Sequence, residues 1–311
     1  MPIGLASSSA NCITGNRDPL QKTVLITGAT GFLGRHLCLY FHRKGYTVRA
    51  LVRNFPKDTF AYPGVVFFRG NLPDEIDTEG FKGVDVLIHC AYTTRFSSQE
   101  EAYQVNHLGT LKVRALRAQF GIGQFVFISS TGAHADAESY YGKSKYALEQ
   151  CMDLSRDLII RPGLIIGSGT QGTFNRMKES MRRFAVVPIF DGGRQILQTI
   201  HLDDLCVAIG LAVEKRLVGV FVAAEHEGLS MRAFLKLMAA RMQIRCLLLP
   251  LPLSFTLLLL KMLETLHIPF PLTTENLLGL KQMRHMPSLE NLARIGITVK
   301  SAEQSLKICP M

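Results

Sequence analysis

The sequence predicts an α/β fold, a doubly wound parallel sheet with a smaller, mostly helical C-terminal subdomain. Three observations predict it. From residue 23 to residue 224 short apolar runs alternate with stretches of helical spacing, the rhythm of βαβ units. The apolar runs are near-continuous Val, Ile, Leu and Phe, as in strands covered on both faces. After Gly163 the rhythm changes, and from Ser230 onward the chain is Leu- and Met-rich, helical in pattern and interrupted by Pro250, Pro252, Pro269, Pro271 and Pro287.

Residues 24–26 predict the first strand, followed by a helix over 32–43 with Leu33, Leu37 and Phe41 at i, i+4 and i+8. Further strands are expected at 48–52, 65–68, 84–89, 124–129 and 158–160, with a long helix over 100–120 and another over 140–154. Beyond them, 167–172 reads as a flexible loop, 174–184 as a basic helix, 191–193 as a turn, 202–213 as a helix and 218–222 as one more strand. The expected division is a small, polar leader over 1–20, a dinucleotide-binding unit over 21–168 and 199–224, and a substrate subdomain over 169–198 and 225–311.

With 311 residues, 47% of them hydrophobic and 19% charged, the chain can bury a large core and is not a disordered protein. A net charge of +10 favours anionic partners, and no motif points to nucleic acid. Seven cysteines without a CxxC pair suit a reducing, cytoplasmic setting and leave no metal-ligand spacing. The leader lacks the apolar run of a signal peptide. The most apolar stretch, 247–260, is too short to span a bilayer; it reads as a buried helix, with membrane contact as the minority alternative.

Gly28, Thr30, Gly31, Phe32, Leu33 and Gly34 lie between the first strand and the first helix. A glycine loop there lets the backbone approach a pyrophosphate, and the helix start offers free N–H groups and a positive dipole end. This is the phosphate-binding corner of a Rossmann-type domain. An acid ending the second strand would bind the ribose hydroxyls of NAD(H). Here Arg53 stands instead, and Arg35 follows Gly34, so a 2′-phosphate is favoured and NADP(H) is preferred, with NAD(H) the alternative. Asn71 and Leu72 are expected beside the adenine, and Cys90, Ala91 and Tyr92 where the dinucleotide passes the fourth strand. His89 reads as a packed strand-end histidine.

Tyr141 and Lys145 are one helical turn apart, so an ammonium beside the phenol is expected to lower its pKa and make it a usable acid/base. Ser129, Ser130 and Thr131 end the fifth strand, at the edge where open α/β sheets bind ligands. The order of glycine loop, strand-end hydroxyls and YxxxK, with TGATGFLG, DVLIHCAY, Asn106 in VNHLGT, FVFISST, RPGLIIG and HLDDL, resembles the extended short-chain dehydrogenases/reductases over residues 23–225. That family includes NAD-dependent epimerases, dehydratases and many ketoreductases.

The resemblance implies that Tyr141 passes the proton, Lys145 holds the nicotinamide ribose, and Thr131 or Ser130 orients the substrate oxygen. It implies Ser129 and Pro162, Gly163, Leu164 and Ile165 beside the cofactor, and Asn106 shaping the site or a proton path. His201 and Asp204 are read as structural. The expected activity is hydride transfer to or from a carbonyl/alcohol substrate, anionic or a sugar nucleotide. An epimerase or dehydratase retaining NAD is the second reading and a non-catalytic NADPH-binding protein the third; a homodimer is a compatible assembly. Two departures stand out. Only nine residues separate Thr131 from Tyr141, short for a sugar-nucleotide pocket, and Asn71 replaces an acid often found near the adenine. Arg176, Arg182, Arg183 and Phe174 are candidate contacts for an anionic substrate, or a solvated basic face.

Overall fold

The computed structural model describes residues 21–58, 62–94, 96–168, 172–184, 186–268 and 273–310. The 1–20 leader, the middle of the 167–172 loop, Pro269 and Pro271 lie outside them. The first half of the described chain runs β1 (Thr23–Thr27), α1 (Phe32–Arg43), β2 (Thr47–Val52), β3 (Val65–Asn71), β4 (Glu75–Ile76), β5 (Val86–His89), α2 (Gln99–Tyr103), α3 (Gly109–Gln119), β6 (Gln124–Ile128), α4 (Tyr140–Gln150), β7 (Asp157–Pro162) and β8 (Leu164–Ile166). The second half runs α5 (Thr173–Phe184), β9 (Val186–Ile189), β10 (Ile196–Leu197), β11 (Thr199–His201), α6 (Leu202–Glu214), β12 (Gly219–Ala223), β13 (Leu229–Ser230), α7 (Met231–Met242), β14 (Leu247–Pro250), α8 (Leu253–Thr265), α9 (Thr274–Lys281), α10 (Leu289–Ile295) and α11 (Ala302–Ile308).

The main sheet has eight strands in the order β12-β7-β6-β5-β1-β2-β3-β4, all parallel except the edge strand β4. The predicted doubly wound sheet is therefore present. The chain builds outward from β1 through β2 and β3, then returns to add β5, β6 and β7 on the other side. Strand order reverses between β1 and β5, so the loops leaving those two strands diverge and open a crevice at their carboxyl ends.

Side-chain alternation explains why β1 is apolar throughout. Val24 and Ile26 face one core with Leu37, Phe41 and Ile209, under α1 and α6; Leu25 faces the other with Leu87, Val113, Phe125 and Leu148, under α3 and α4. A third cluster, with Phe174, Met181, Ile189, Phe234, Leu235 and Leu306, joins α5, β9, α7 and α11. Phe174 is thus a core residue and not a substrate contact, while Arg182 and Arg183 remain exposed. Two buried polar side chains stitch the C-terminal segment to the sheet. Gln198 Nε2 donates to Glu225 O (2.8 Å) and Met286 O (2.9 Å), and its Oε1 accepts from Met286 N (2.7 Å). Glu225 accepts from Thr199 N (2.9 Å) and from Ala302 N (2.8 Å) at the start of α11. His201 caps α6 and Asp204 accepts from Lys300 N (2.8 Å), the structural duties read from the sequence.

One expectation is refined and one is corrected. The helix over 100–120 is present as α2 and α3, with a π-turn over Gln104–Leu108 between them. At the wide turn the buried Asn106 side chain bonds the Thr93 backbone, and Thr110 Oγ1 donates to the Asn106 carbonyl at 2.6 Å. The 247–260 stretch is not a buried helix. Leu247–Pro250 is a strand paired with β9, and α8, which follows Pro252, buries only Thr256 and Leu260. No helix among the described residues is long and apolar enough to cross a membrane.

Candidate active site

Four loops meet at the carboxyl ends of β1, β5, β6 and β7. The first is the glycine loop. Gly31 N donates to Gly28 O (2.9 Å), and Gly31 caps α1 without a side chain, so the N–H groups at the helix start are left to a ligand. Gly28 has φ +63°, and a Cβ there would lie 2.7 Å from Ala91 Cα. A Cβ on Gly34 would lie 2.2 Å from Gly28 O. The cradle exists because neither residue carries one. Thr30 is exposed, and Phe32 and Leu33 open α1 beneath the loop. Arg35 and Arg53 are both exposed; the Arg35 guanidinium lies 5.6 Å from the centroid of the Tyr62 ring. Asn71 pairs with Glu75 across β3 and β4, and Leu72 packs against Gly109 at the start of α3.

The β5 loop is anchored by a buried relay. Ala91 N donates to Thr27 Oγ1 (3.2 Å), Thr27 Oγ1 is 2.7 Å from His89 Nδ1, and His89 Nε2 is 2.9 Å from Thr110 Oγ1. Thr110 spends its one proton on Asn106 O, so His89 must donate from Nε2 and accept at Nδ1. The neutral ring thus satisfies both of its nitrogens and leaves the Thr27 proton a partner at Nδ1. Burial, aided by Lys145, pushes the His89 pKa down to about 3. The unfolded chain then holds a proton that the folded chain lacks between the ordinary value of 6.5 and about 3. Stability from this group is full above pH 6.5 and falls as pH drops, by about tenfold in the folded/unfolded ratio per pH unit. His89→Asn is expected to be destabilising at neutral pH, with its deficit shrinking as the pH is lowered from 6.5 to about 5. Thermal melting of both proteins across that window checks it; a constant deficit contradicts the assignment.

The β6 loop carries the hydroxyls, and they separate. Ser129 Oγ is buried and donates to Glu149 Oε1 (2.5 Å), and Glu149 also pairs with Arg161. Ser129's hydroxyl is therefore committed away from the crevice. Ser130 Oγ accepts from Gly132 N (3.1 Å), and the hydroxyl favours the Tyr141 phenolate. Thr131, the sequence candidate, is partly exposed, with its N–H on Pro162 O (3.2 Å). Gly163 donates to Ala223 O (3.0 Å), Leu164 N donates to Gln198 O (2.9 Å), and Leu164 and Ile165 are half-buried on β8.

Helix α4 brings the remaining groups together. Ser139 caps it, and Gly142 lets it close on the β6 loop, since a Cβ there would lie 2.6 Å from Gly132 O. Lys145 is buried. Its Nζ donates to Ile128 O (2.6 Å) and lies 4.2 Å from the Tyr92 ring centroid and 4.7 Å from that of Phe127. Desolvation pushes its pKa down to about 7, with Cys90 and Glu149 acting in the opposite sense. Tyr141 stacks edge-on against Tyr92 at 5.3 Å. The expected lowering of the Tyr141 pKa by Lys145 is not found. Burial raises the phenol above its ordinary value, and the bond with Ser130 only opposes this. The lysine is drawn to Ile128 O and its own charge is weakened, which explains the difference.

Of the two hydroxyls named from the sequence, Ser130 is the one set toward Tyr141. Two features went unread in the sequence. Tyr140, next to Tyr141, packs its ring 5.3 Å from that of Phe96. The short loop before α4 is clamped by the C-terminal segment: Lys281 pairs with Glu138 (2.6 Å), Arg284 with Asp136 (2.8 Å), and Tyr140 N donates to Glu275 (2.6 Å). Among the described residues no group of three or more His, Cys, Asp or Glu is placed to hold a metal.

Comparison with known proteins agrees with this architecture. The model of the NAD dependent epimerase/dehydratase family matches residues 24–222. The chain is similar to a ceramide reductase of Caulobacter vibrioides, 32% identical over 59% of this chain and 58% of that protein. It is similar to a 2-alkyl-3-oxoalkanoate reductase of Stenotrophomonas maltophilia, 29% identical over 65% of this chain and 68% of the other. The chain thus spans between half and about two thirds of the length of such relatives. In fold it resembles MoeE5 in complex with UDP-glucuronic acid and NAD, with TM-score 0.71 at 18% identity over 93% of this chain and 97% of that one.

Proposed function

The chain belongs to the NAD dependent epimerase/dehydratase family, and we propose that it works there as a reductase moving a hydride from NADPH to a carbonyl substrate. The observation that carries this reading is Tyr141 at the mouth of the crevice, edge-on to the Tyr92 ring under which Lys145 lies buried one turn further along α4. A phenol is protonated at neutral pH and can donate, the role needed in the reductive direction.

The cradle fits a dinucleotide. Its backbone closes on Ala91 and on the α1 start so tightly that no Cβ is tolerated at Gly28 or Gly34, and the α1 N–H groups point where a pyrophosphate would lie. Arg35 and Arg53 hold the 2′-phosphate, and Asn71 and Leu72 border the adenine. Cys90, Ala91 and Tyr92 pass the dinucleotide toward Pro162, Gly163, Leu164 and Ile165. When bound, the nicotinamide supplies the hydride to the carbonyl carbon. Ser130 and Tyr141 Oη hydrogen-bond the carbonyl oxygen, and Tyr141 gives it a proton as it becomes the alcohol. Thr131 borders the same oxygen. Lys145 turns from Ile128 O to the nicotinamide ribose and supports the phenolate that Tyr141 leaves behind.

Relatives named for a ceramide and for 2-alkyl-3-oxoalkanoate support a substrate whose carbonyl carries an apolar chain. The family model and the sugar-nucleotide complex of MoeE5 keep a second reading, an epimerase or dehydratase retaining NAD. The experiment is to denature the purified protein, identify any released dinucleotide, and follow NADPH oxidation with a panel of alkyl ketones. Net turnover supports the reductase; tightly held NAD without turnover assigns the epimerase or dehydratase.

Arg53→Glu tests the cofactor preference. Losing a charge-assisted contact worth about 1.5–3 kcal/mol should raise KM for NADPH by roughly 10–100-fold while KM for NADH changes little. Equal effects on both cofactors would remove Arg53 from the 2′-phosphate.

A further inference from the structure

Helix α8 is apolar on two sides, and among the described residues one of them has a core. Its inner side sets Leu260 against Phe190 and Leu277, with Leu253 and Leu257 beside them. Its outer side presents Phe255, Leu258, Leu259, Met262 and Leu266, spaced i, i+3, i+4, i+7 and i+11, a single stripe without a charge. Leu258 is 60% exposed and Leu266 62%. The strand that precedes α8 in the chain, β14, is exposed in the same way: Leu248 turns into the core and Leu247 and Leu249 turn outward. β14 pairs in parallel register with β9, which sets the exposed Val186 beside Leu247. An exposed apolar stripe such as that of α8 marks an interaction site.

The charge around the patch indicates its partner. The parallel register places the beginnings of β9 and β14 side by side; Arg245 lies two residues before β14, and Arg182 and Arg183 end α5, the helix that leads into β9. All three are exposed, and so is Lys261 on the flank of α8. The one acid on α8, Glu264, is turned to Thr274, accepting from its N (2.8 Å) and Oγ1 (2.9 Å). An apolar stripe rimmed by cations matches an anionic lipid surface, with the stripe in the acyl boundary and the cations at the phosphates. A second copy of the chain would bring its own arginines to this rim, and the net charge of +10 makes that contact repulsive at long range.

We infer that α8 and β14 form an interfacial docking surface for an anionic bilayer, with α8 lying in the membrane plane. The thirteen residues of α8 are too few to span, so the contact is peripheral. The inference is independent of the hydride-transfer reading, because its test measures no activity.

The test is co-sedimentation of the full chain with vesicles of equimolar phosphatidylcholine and phosphatidylserine, and with vesicles of phosphatidylcholine alone. The chain should bind the anionic vesicles and bind the neutral ones weakly. Leu258→Glu with Met262→Glu should lower the partition by at least about tenfold, because charge replaces apolar surface at the acyl boundary. Arg182→Glu with Arg245→Glu should remove the preference for the anionic vesicles, at roughly fivefold per cation lost. All four positions are exposed, so unchanged circular dichroism and melting are expected. Absence of binding by the native chain, or equal binding by the Leu258→Glu, Met262→Glu variant, overturns the proposal. So does a concentration-dependent dimer, seen by sedimentation velocity, that the same variant abolishes; the face would then belong to a second copy.

Discussion

Tyr141→Phe is expected to lower turnover of a carbonyl substrate by about 10²–10⁴-fold, the usual worth of a positioned general acid. The substitution removes one oxygen. It leaves the ring that packs edge-on against Tyr92, and it leaves Lys145 under the Tyr92 and Phe127 rings. Folding and dinucleotide affinity should therefore stay close to native, and the loss should fall on kcat more than on KM. The same logic separates the neighbouring hydroxyls. Ser130→Ala removes the partner of the phenol and should cost activity, whereas Ser129→Ala leaves the buried Glu149–Arg161 pair short of one donor and should cost stability instead. Steady-state kinetics with NADPH and an alkyl ketone, beside thermal melting, distinguish the three. Native kcat in Tyr141→Phe would sink the proposed acid and assign the proton to another group of the site.

Much of this site was legible because it is encoded locally. A glycine loop between an apolar strand and an amphipathic helix has few other uses, and α1 begins at Phe32 and ends at Arg43 as its spacing predicts. Tyr141 and Lys145 fall on one helix face by arithmetic alone. What was not legible depends on contacts distant in sequence. Helical periodicity does not reveal the π-turn, at which Asn106 bonds the Thr93 backbone. Three consecutive hydroxyls look equivalent until Glu149, twenty residues on, takes one of them. The pKa of Tyr141 departs from expectation because Ile128 O, on the strand below, competes for the ammonium. The apolar run at 247–260 misled for a related reason. Hydropathy reports how apolar a helix is and is silent about what covers it, and α8 has more apolar perimeter than its neighbours can bury.

Gly34→Ala is expected to be the most disruptive single methyl that the chain can receive near the cofactor site. The added carbon would lie 2.2 Å from Gly28 O and 2.9 Å from Ala29 Cα. Both are backbone atoms of a loop already fixed by the Gly31 N to Gly28 O bond and by Gly28's contact with Ala91, so no side-chain rotation relieves the clash. Relief requires α1 to lift from the loop. That strains the packing of Leu33 and Leu37 on β1, at a cost of about 3 kcal/mol or more. It also swings the α1 N–H groups away from the pyrophosphate position, and losing even one such charge-assisted bond should weaken dinucleotide binding by about tenfold or more. A lowered melting temperature together with weakened NADPH binding by titration calorimetry is the expected pair of results. Gly45→Ala is the control, because a Cβ at Gly45 meets nothing within 4 Å, although its φ of +80° carries a small strain of its own. If Gly34→Ala melts and binds like that control, α1 is not held against the loop as tightly as the geometry requires, and the glycine cradle loses its claim to the pyrophosphate.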